Sequence, residues 1–517
     1  NRSTIKGMKW LSRITWVIVT VTSLFVLGAV WVISTWQNLT MDELMYQLSA
    51  PTAGTSSFYY ISAALKWLLP ALFLSVVFFF LLKWMKKTNR KKGTVCILVT
   101  SILVNVFTNI RVWDLLDIAK YIEYQNHPST FIEDTYADPK KVHMTFPEKK
   151  RNLIYLYLES METTYTDVEH GGGFKEDVIP ELTELALKNE DFSGSSDTIN
   201  GAYSLPFTTF TMGAMFAQSS GLPLKNNLEN NDMVTQSSFF GSTTCIGDIL
   251  QQEGYSNVLL LGSNATFGGR RTFYTQHGNY DIFDYVRAKK EGVIPDNYKV
   301  WWGYEDEKLF QYAKEALEQL STSSQPFNLT MLTVDTHFEN GYLCKDCPTT
   351  FGKNRYANVM ACSSKRVSEF IDWCKQQDWY ENTTIVVVGD HPTMDSDFCD
   401  RNLTGYQRRA YVAYIHSAAE VEEQKERVYS TLDAFPTTLA SLGVKIEGNR
   451  LGLGVNLFSQ EPTILEQYGL GYVTEEIEKK SVFMEKKANI DFGNEALKKR
   501  QSYSRKEDHG TTVYDTD

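Results

Sequence analysis

Three apolar stretches fill the first quarter of the chain and constrain its fold more than any other feature. They run over roughly residues 14–35, including TWVIVTVTSLFVLGAV, residues 62–82, including LLPALFLSVVFFFLL, and residues 94–112, TVCILVTSILVNVFTNIRV. Each is near the roughly 20 residues a helix needs to cross hydrocarbon. A backbone in lipid must satisfy its own hydrogen bonds, so each stretch is expected to be a helix. Tryptophans at their edges fit interfacial anchoring. The third carries Asn105, Thr108 and Asn109 and is the most polar of the three.

Orientation follows from the basic residues. Lys6, Lys9 and Arg13 precede the first stretch, and Lys83, Lys86, Lys87, Arg90, Lys91 and Lys92 lie between the second and third. The connection between the first and second carries Asp42 and Glu43 and no Lys or Arg before Lys66. The positive-inside rule then puts everything after about residue 113 outside the cytoplasm. The chain opens on Asn1 rather than Met, so an N-terminal piece is expected to be missing; an even number of lost spans would preserve the orientation. The expected layout is a transmembrane domain (1–112), a juxtamembrane linker (113–149), an extracytoplasmic domain (150–460) and a charged extension with a flexible tail (461–517). DLLDIAKYIEY in the linker suits an interfacial helix. Residues 474–500 suit a solvated surface helix, with a strap along the exported domain as the alternative.

Composition supports this reading. At 517 residues and 43% hydrophobic, the chain is long enough for more than one domain. A net charge of -11 argues against a nucleic-acid binder. There is no Walker-type loop and no GxGxxG fingerprint. Cys96 falls in a span, while Cys245, Cys344, Cys347, Cys362, Cys374 and Cys399 are all in the exported part, where disulfides persist. CKDC at 344–347 has no second CxxC or paired histidine after it, and Cys347 with Cys362 is the favoured pair.

From about residue 150, β-rich runs (NLIYLYLES, NVLLLGSN, PFNLTMLTVDTHF, TTIVVVGDHP) alternate with helical stretches such as PELTELALKNE and YEDEKLFQYAKEALEQL. Near-continuous apolar strands between helices predict an α/β domain with a mostly parallel sheet covered on both faces. Ligands of such sheets bind at the carboxyl ends of the strands. Three strands end in chemically capable residues: Glu159, then Asp335 with His337, then Asp390 with His391. Each alone is compatible with a cap or a polar turn. Together they suit a hard or borderline divalent metal, Mn²⁺, Mg²⁺ or Zn²⁺. The hydroxyl-rich stretch SLPFTTFTMGAMFAQSSGLPL (204–224) would supply a nucleophile at a helix N-terminus, where unpaired N–H groups favour an anion. Its threonines are equally suited to plain N-capping.

Residues 150–456 resemble the lipoteichoic acid synthase family of the alkaline phosphatase superfamily, most of all the phosphoglycerol transferases that modify periplasmic glucans. The resemblance rests on NLIYLYLESMETTY, IPELTELA, FTMGAMFAQSSGLPL, CIGDILQQEGY, NATFGGRRTF, WWGYEDE, TVDTHF, VVVGDHPTM and RLGLG in this order. It implies that Glu159, Thr211, Asp390 and His391 bind one metal, Mn²⁺ first among the candidates, and that Thr211 is the nucleophile. Ser204 and Thr208 compete with Thr211, which is chosen because MGAMFAQSSGLPL follows it without a gap. His337, Arg270, Trp302 and Asp306 would surround the transferred phosphoglycerol. Gly268 and Gly262 stand where lipoteichoic acid synthases have a Trp and a His. The glucan branch's disulfide partner for Cys245 is Ser220 here.

The resemblance further implies a multi-pass membrane enzyme that moves glycerol phosphate from phosphatidylglycerol to a hydroxyl of a surface glycan or teichoic-type polymer. A phospho-threonine forms at Thr211, with His337 as acid, base or phosphate holder. The alternatives are a phosphoethanolamine transferase with the same nucleophile, and an inactive module binding anionic surface polymer. No C-x-P-S-R sequence is present, which argues against a formylglycine sulfatase.

Overall fold

The computed structural model describes residues 2–36, 39–41, 44–45, 57–88, 90–225, 238–400, 403 and 405–488. Asp42, Glu43 and residues 489–517, which carried the acidic-loop and tail expectations, lie outside the described residues. The chain divides into two compact units, residues 1–44 with 55–126 and residues 45–54 with 127–517.

In the first unit, Gly7–Thr35, Tyr59–Lys87 and Lys91–Leu115 are helices long and apolar enough to cross a membrane. The second contains a π-helical turn, Ala64–Leu68, just before Pro70. A proline cannot donate to the preceding turn, and a wider turn is one way a helix absorbs that. Polar side chains join the helices. Trp67 Nε1 donates to the Leu24 carbonyl at 2.8 Å, Trp16 Nε1 to the Ser75 carbonyl at 3.1 Å, and Thr20 and Ser75 share a hydroxyl bond of 2.7 Å. Such bonds act as glue where lipid supplies no hydrophobic drive between helices.

The second unit is built on strands β1 (Met144–Thr145), β2 (Asn152–Leu158), β3 (Gly201–Ala202), β4 (Ser256–Leu261), β5 (Asp281–Phe283), β6 (Phe327–Leu332), β7 (Thr383–Gly389), β8 (Ala410–Ile415), β9 (Lys445–Ile446), β10 (Arg450–Leu451) and β11 (Gly454–Val455). Seven of them form one sheet in the order β3-β8-β7-β2-β6-β4-β5. Strands β7, β2, β6, β4 and β5 are mutually parallel, and β8 and β3 add an antiparallel edge. The expected mostly parallel sheet between helices is therefore observed.

Every residue of β2, β6 and β7 is buried. The two-residue period of a strand divides them between two cores. Leu153, Tyr155 and Tyr157 of β2 face one, beside helices Thr211–Ser220, Arg270–Gln276 and Ala434–Ser441. Ile154, Leu156 and Leu158 face the other, beside helices Pro180–Leu187, Asp306–Leu320 and Arg355–Lys375.

The charged C-terminal region is not one solvated helix. It forms Leu470–Glu478 and Val482–Ala488, and Val473, Ile477 and Met484 are fully buried in the first core. Lys225 Nζ ties this strap down by donating to the carbonyls of Ile477 and Glu478, both at 2.8 Å. The apolar positions 473, 477 and 484 recur at helical spacing among charges, and burial of that stripe outweighs solvation of the other face.

Candidate active site

The parallel register carries β2 and β7 to the same edge, with Leu158 opposite Gly389. Glu159 and Asp390 are the next residues. Gly389 is required at this point, because an added Cβ would lie 1.8 Å from the Met161 carbonyl oxygen. Ser160 turns through the left-handed region at φ 55°, and its N–H donates to Asp390 Oδ1 at 2.8 Å. The His391 N–H donates to the same oxygen at 2.7 Å. Asp390 is fully buried, and its other oxygen, Oδ2, has no hydrogen-bond partner.

His391 completes the group. Its Nδ1 faces the Pro392 carbonyl at 2.9 Å, so Nδ1 carries the proton and Nε2 the lone pair. That lone pair lies 3.4 Å from Asp390 Oδ2, 3.6 Å from Glu159 Oε1 and 3.5 Å from Thr211 Oγ1. Thr211 Oγ1 in turn donates to Glu159 Oε2 at 3.2 Å. Two buried carboxyl groups and an imidazole lone pair thus converge on one point. The orphaned Asp390 Oδ2 and the donor set fit a divalent cation. Burial and then the Glu159 charge push the Asp390 carboxyl up to about 8.

Thr211 opens the ten-residue helix Thr211–Ser220, which ends on Gly221 in the left-handed conformation at φ 66°. Its hydroxyl is therefore set beside the unpaired N–H groups of a helix start. The competing hydroxyls do not join the group. Thr208 is fully buried and bonded to the Leu205 carbonyl at 2.9 Å, and Ser204 Oγ is buried with no hydrogen bond.

His337 follows β6 on the other side of β2 and is half-buried. Its Nδ1 faces the Phe338 carbonyl at 2.6 Å, leaving Nε2 as the basic nitrogen. Desolvation lowers its pKa, so the ring is neutral near pH 7. Trp302 packs against it with ring centroids 4.6 Å apart, and Phe267 against Trp302 at 5.6 Å. Arg270 is buried and donates to Ser263 Oγ at 3.2 Å and to the Asn264 carbonyl at 3.1 Å; its charge helps keep His337 neutral. Gly262 admits no side chain, since an added Cβ would lie 2.3 Å from the Tyr304 carbonyl oxygen.

Two expected residues have other work. Both Asp306 oxygens accept backbone N–H bonds, from Val334 at 2.8 Å and Asp335 at 3.1 Å. Asp306 therefore holds the turn that carries His337. Asp335 is buried against it, and burial followed by the Asp306 charge pushes its carboxyl up to about 10.

Sequence reasoning passed over Glu162. Its carboxylate is fully buried and accepts from the Thr393 N–H at 2.8 Å, Thr164 Oγ1 at 2.6 Å, the Tyr165 hydroxyl at 3.1 Å and Arg408 Nε at 2.8 Å. It ties the chain after β2 to the chain after Asp390-His391. Its position three residues beyond Glu159 in LESME was the available signal. Among the described residues no disulfide joins the cysteines. The sulfurs of Cys344, Cys347 and Cys362 all lie within 4.8 Å of one another, so Cys344 joins the expected Cys347–Cys362 pair.

Several known proteins are similar to this chain. Phosphoglycerol transferase I of Escherichia coli is 36% identical over 329 residues, 62% of this chain and 40% of that protein. The same-named protein of Escherichia fergusonii is 34% identical over 327 residues, with the same coverage. The chain thus spans 40% of the length of the curated relatives it matches. The crystal structure of the lipoteichoic acid synthase LtaP from Listeria monocytogenes aligns with a TM-score of 0.45 at 18% identity, covering 64% of this chain and 82% of that one. The apolar helices make this a membrane protein, and the basic residues beside them put the second unit outside the cytoplasm. Residues 151–444 match the sulfatase family, and the chain belongs to that family.

Proposed function

We propose that this protein is a metal-dependent phosphoglycerol transferase that takes glycerol phosphate from phosphatidylglycerol and passes it to a hydroxyl of a cell-surface glycan or teichoic-type polymer. The observation that carries this reading is the convergence of Thr211 Oγ1, Glu159, Asp390 and His391 Nε2 around one point at the start of a helix. The name of the curated relatives supports the donor headgroup. Membrane helices suit a donor that is itself a bilayer lipid.

Glu159, Asp390, His391 and Thr211 would hold the metal, for which Mn²⁺ is our assignment. When bound, it lowers the hydroxyl pKa and offsets phosphoryl charge. The chain's own residues do the rest. Thr211 Oγ1 attacks phosphorus, the bond from phosphorus to the glyceride oxygen breaks, and diacylglycerol leaves with the proton that Thr211 gives up. An acceptor hydroxyl then displaces the Thr211 oxygen from phosphorus and returns a proton to it. Splitting one displacement into two is the usual gain of covalent catalysis. His337, held neutral with Nε2 basic, is suited to carry the acceptor's proton in transit. Arg270 would offset phosphoryl charge, and Trp302 would form the wall beside His337.

The test is diacylglycerol release from phosphatidylglycerol vesicles by the full chain with Mn²⁺ and a glucan or glycerol acceptor. Release that disappears in Thr211→Ala is expected. Release from phosphatidylethanolamine instead would assign the protein to headgroup transfer of the other kind. Undiminished release by Thr211→Ala would remove the proposed nucleophile.

A further inference from the structure

A second cluster lies beyond His337. Cys344, Cys347 and Cys362 bring three sulfurs within 4.8 Å of one another. Cys344 Sγ is 3.1 Å from Cys347 Sγ and 3.7 Å from Cys362 Sγ. Cys344 and Cys347 belong to the loop after His337, and Cys362 to helix Arg355–Lys375. Cys344 and Cys362 are buried and Cys347 half-buried. Two donors point at the sulfurs: the Cys344 N–H reaches Cys347 Sγ at 3.2 Å, and Arg366 Nη2 reaches Cys344 Sγ at 3.1 Å. N–H donors and a guanidinium favour the thiolate over the thiol.

We propose that Cys344, Cys347 and Cys362 form a binding site for a thiophilic divalent cation of the zinc type, separate from the carboxylate–imidazole group at Glu159. Zinc–thiolate bonds of about 2.3 Å in a tetrahedron separate the sulfurs by about 3.7 Å. Cys344 and Cys362 already have that spacing, and the Cys344–Cys347 separation of 3.1 Å needs to widen by about 0.6 Å. Each thiol gives its proton to solvent as a metal–sulfur bond forms, with no change of oxidation state. Three thiolates and a divalent ion sum to one negative charge, which Arg366 balances. A disulfide would engage two of these sulfurs and strand the third, whereas a cation engages all three. Among the described residues no fourth His, Cys, Asp or Glu joins the group, so a water completes the coordination.

Proximity alone does not make such a site, as Cys245, Asp248 and His277 illustrate. His277 Nδ1 bonds Asp248 Oδ2 at 2.9 Å and Nε2 bonds the Phe239 carbonyl at 2.8 Å. A ring nitrogen facing a carbonyl carries a proton, so His277 has no lone pair for a metal there. In the three-cysteine cluster the donors face the sulfurs, which is the reverse situation. The bound ion would staple the loop that carries His337 to helix Arg355–Lys375.

The experiment uses the full chain in nanodiscs, handled without oxygen. Zn²⁺ content is measured for wild type, Asp390→Asn and Cys362→Ser, and Co²⁺ is added to metal-free wild type. One Zn²⁺ per chain is expected to survive Asp390→Asn and to be lost in Cys362→Ser. Co²⁺ is expected to give a sulfur-to-cobalt charge-transfer band, which an oxygen and imidazole site does not produce. Should Cys362→Ser fail to fold, the wild-type cobalt spectrum decides. Absence of that band while all three thiols titrate as free would overturn the proposal. So would alkylation at lysis that traps two of the three as a disulfide. Neither outcome depends on the proposed transfer reaction.

Discussion

Thr211 and Glu159, 52 residues apart in sequence, share a hydrogen bond in which Thr211 Oγ1 donates to Glu159 Oε2 at 3.2 Å. The hydroxyl proton already points at a buried carboxylate, and the oxygen is left facing the His391 lone pair. Thr211→Ala is expected to reduce lipid cleavage by roughly 10³-fold or more, as loss of a covalent nucleophile does. Thr211→Ser keeps the oxygen and should retain measurable turnover. Initial rates of diacylglycerol release check both. A serine variant as dead as alanine would mean that the hydroxyl is not what position 211 contributes.

Asp390 predicts the stability response to metal. Its buried Oδ2 has no hydrogen-bond partner, and a bound cation would supply the missing contact by coordination. A ligand at about a hundred times its dissociation constant stabilises the native state by about 2.7 kcal/mol. Mn²⁺ should therefore raise the thermal midpoint of wild type and leave that of Asp390→Asn nearly unmoved. Equal Mn²⁺ shifts in both would exclude Asp390 as a ligand.

Much of this site can be read from the sequence, because β2, β6 and β7 are buried on both faces and announce themselves as apolar runs. Polar residues at the ends of such runs must be at the sheet edge, which is why Glu159, His337, Asp390 and His391 stand out. Asp306 was harder. Its partners are backbone N–H groups of Val334 and Asp335, and a sequence does not show where backbone donors point. The Cys344–Cys347–Cys362 cluster was half visible: the sequence suggested Cys347 with Cys362, and only tertiary packing shows that Cys344 joins them. The strap at 470–488 was obscured by its charges, which outnumber the three apolar residues that anchor it.

Glu162 and Arg408 make a prediction about positioning. Glu162 is fully buried and Arg408 also donates to the Thr393 carbonyl at 2.7 Å, so the pair braces the turn just after His391. Removing one partner of a buried pair leaves an uncompensated charge and costs about 3–5 kcal/mol. Arg408→Met should lower stability by that order and weaken Mn²⁺ binding, although Arg408 is not a proposed ligand. The double variant Arg408→Met with Glu162→Gln should recover part of the stability but not the metal affinity. Calorimetric Mn²⁺ titration and thermal unfolding separate the two effects. Unchanged metal affinity in the double variant would show that the brace is structural only.

His277 and Asp248 give a pH dependence. Burial opposes the imidazolium, but Cys245 and Asp248 outweigh it and raise the His277 pKa above the ordinary histidine value. Both ring nitrogens act as donors, to Asp248 and to the Phe239 carbonyl, which requires the protonated ring. A folded-state pKa above the unfolded value of about 6.5 means that the native state holds the extra proton. The stabilisation is then complete below about pH 6.5 and is lost as pH rises toward the folded-state pKa, at no more than about 1.4 kcal/mol per pH unit. His277→Gln removes the charge and with it this slope. The stability gap between wild type and His277→Gln, measured by thermal unfolding, should therefore be widest near pH 6 and narrow steadily toward pH 9. A gap that stays constant over this range would mean that His277 is neutral in the folded protein.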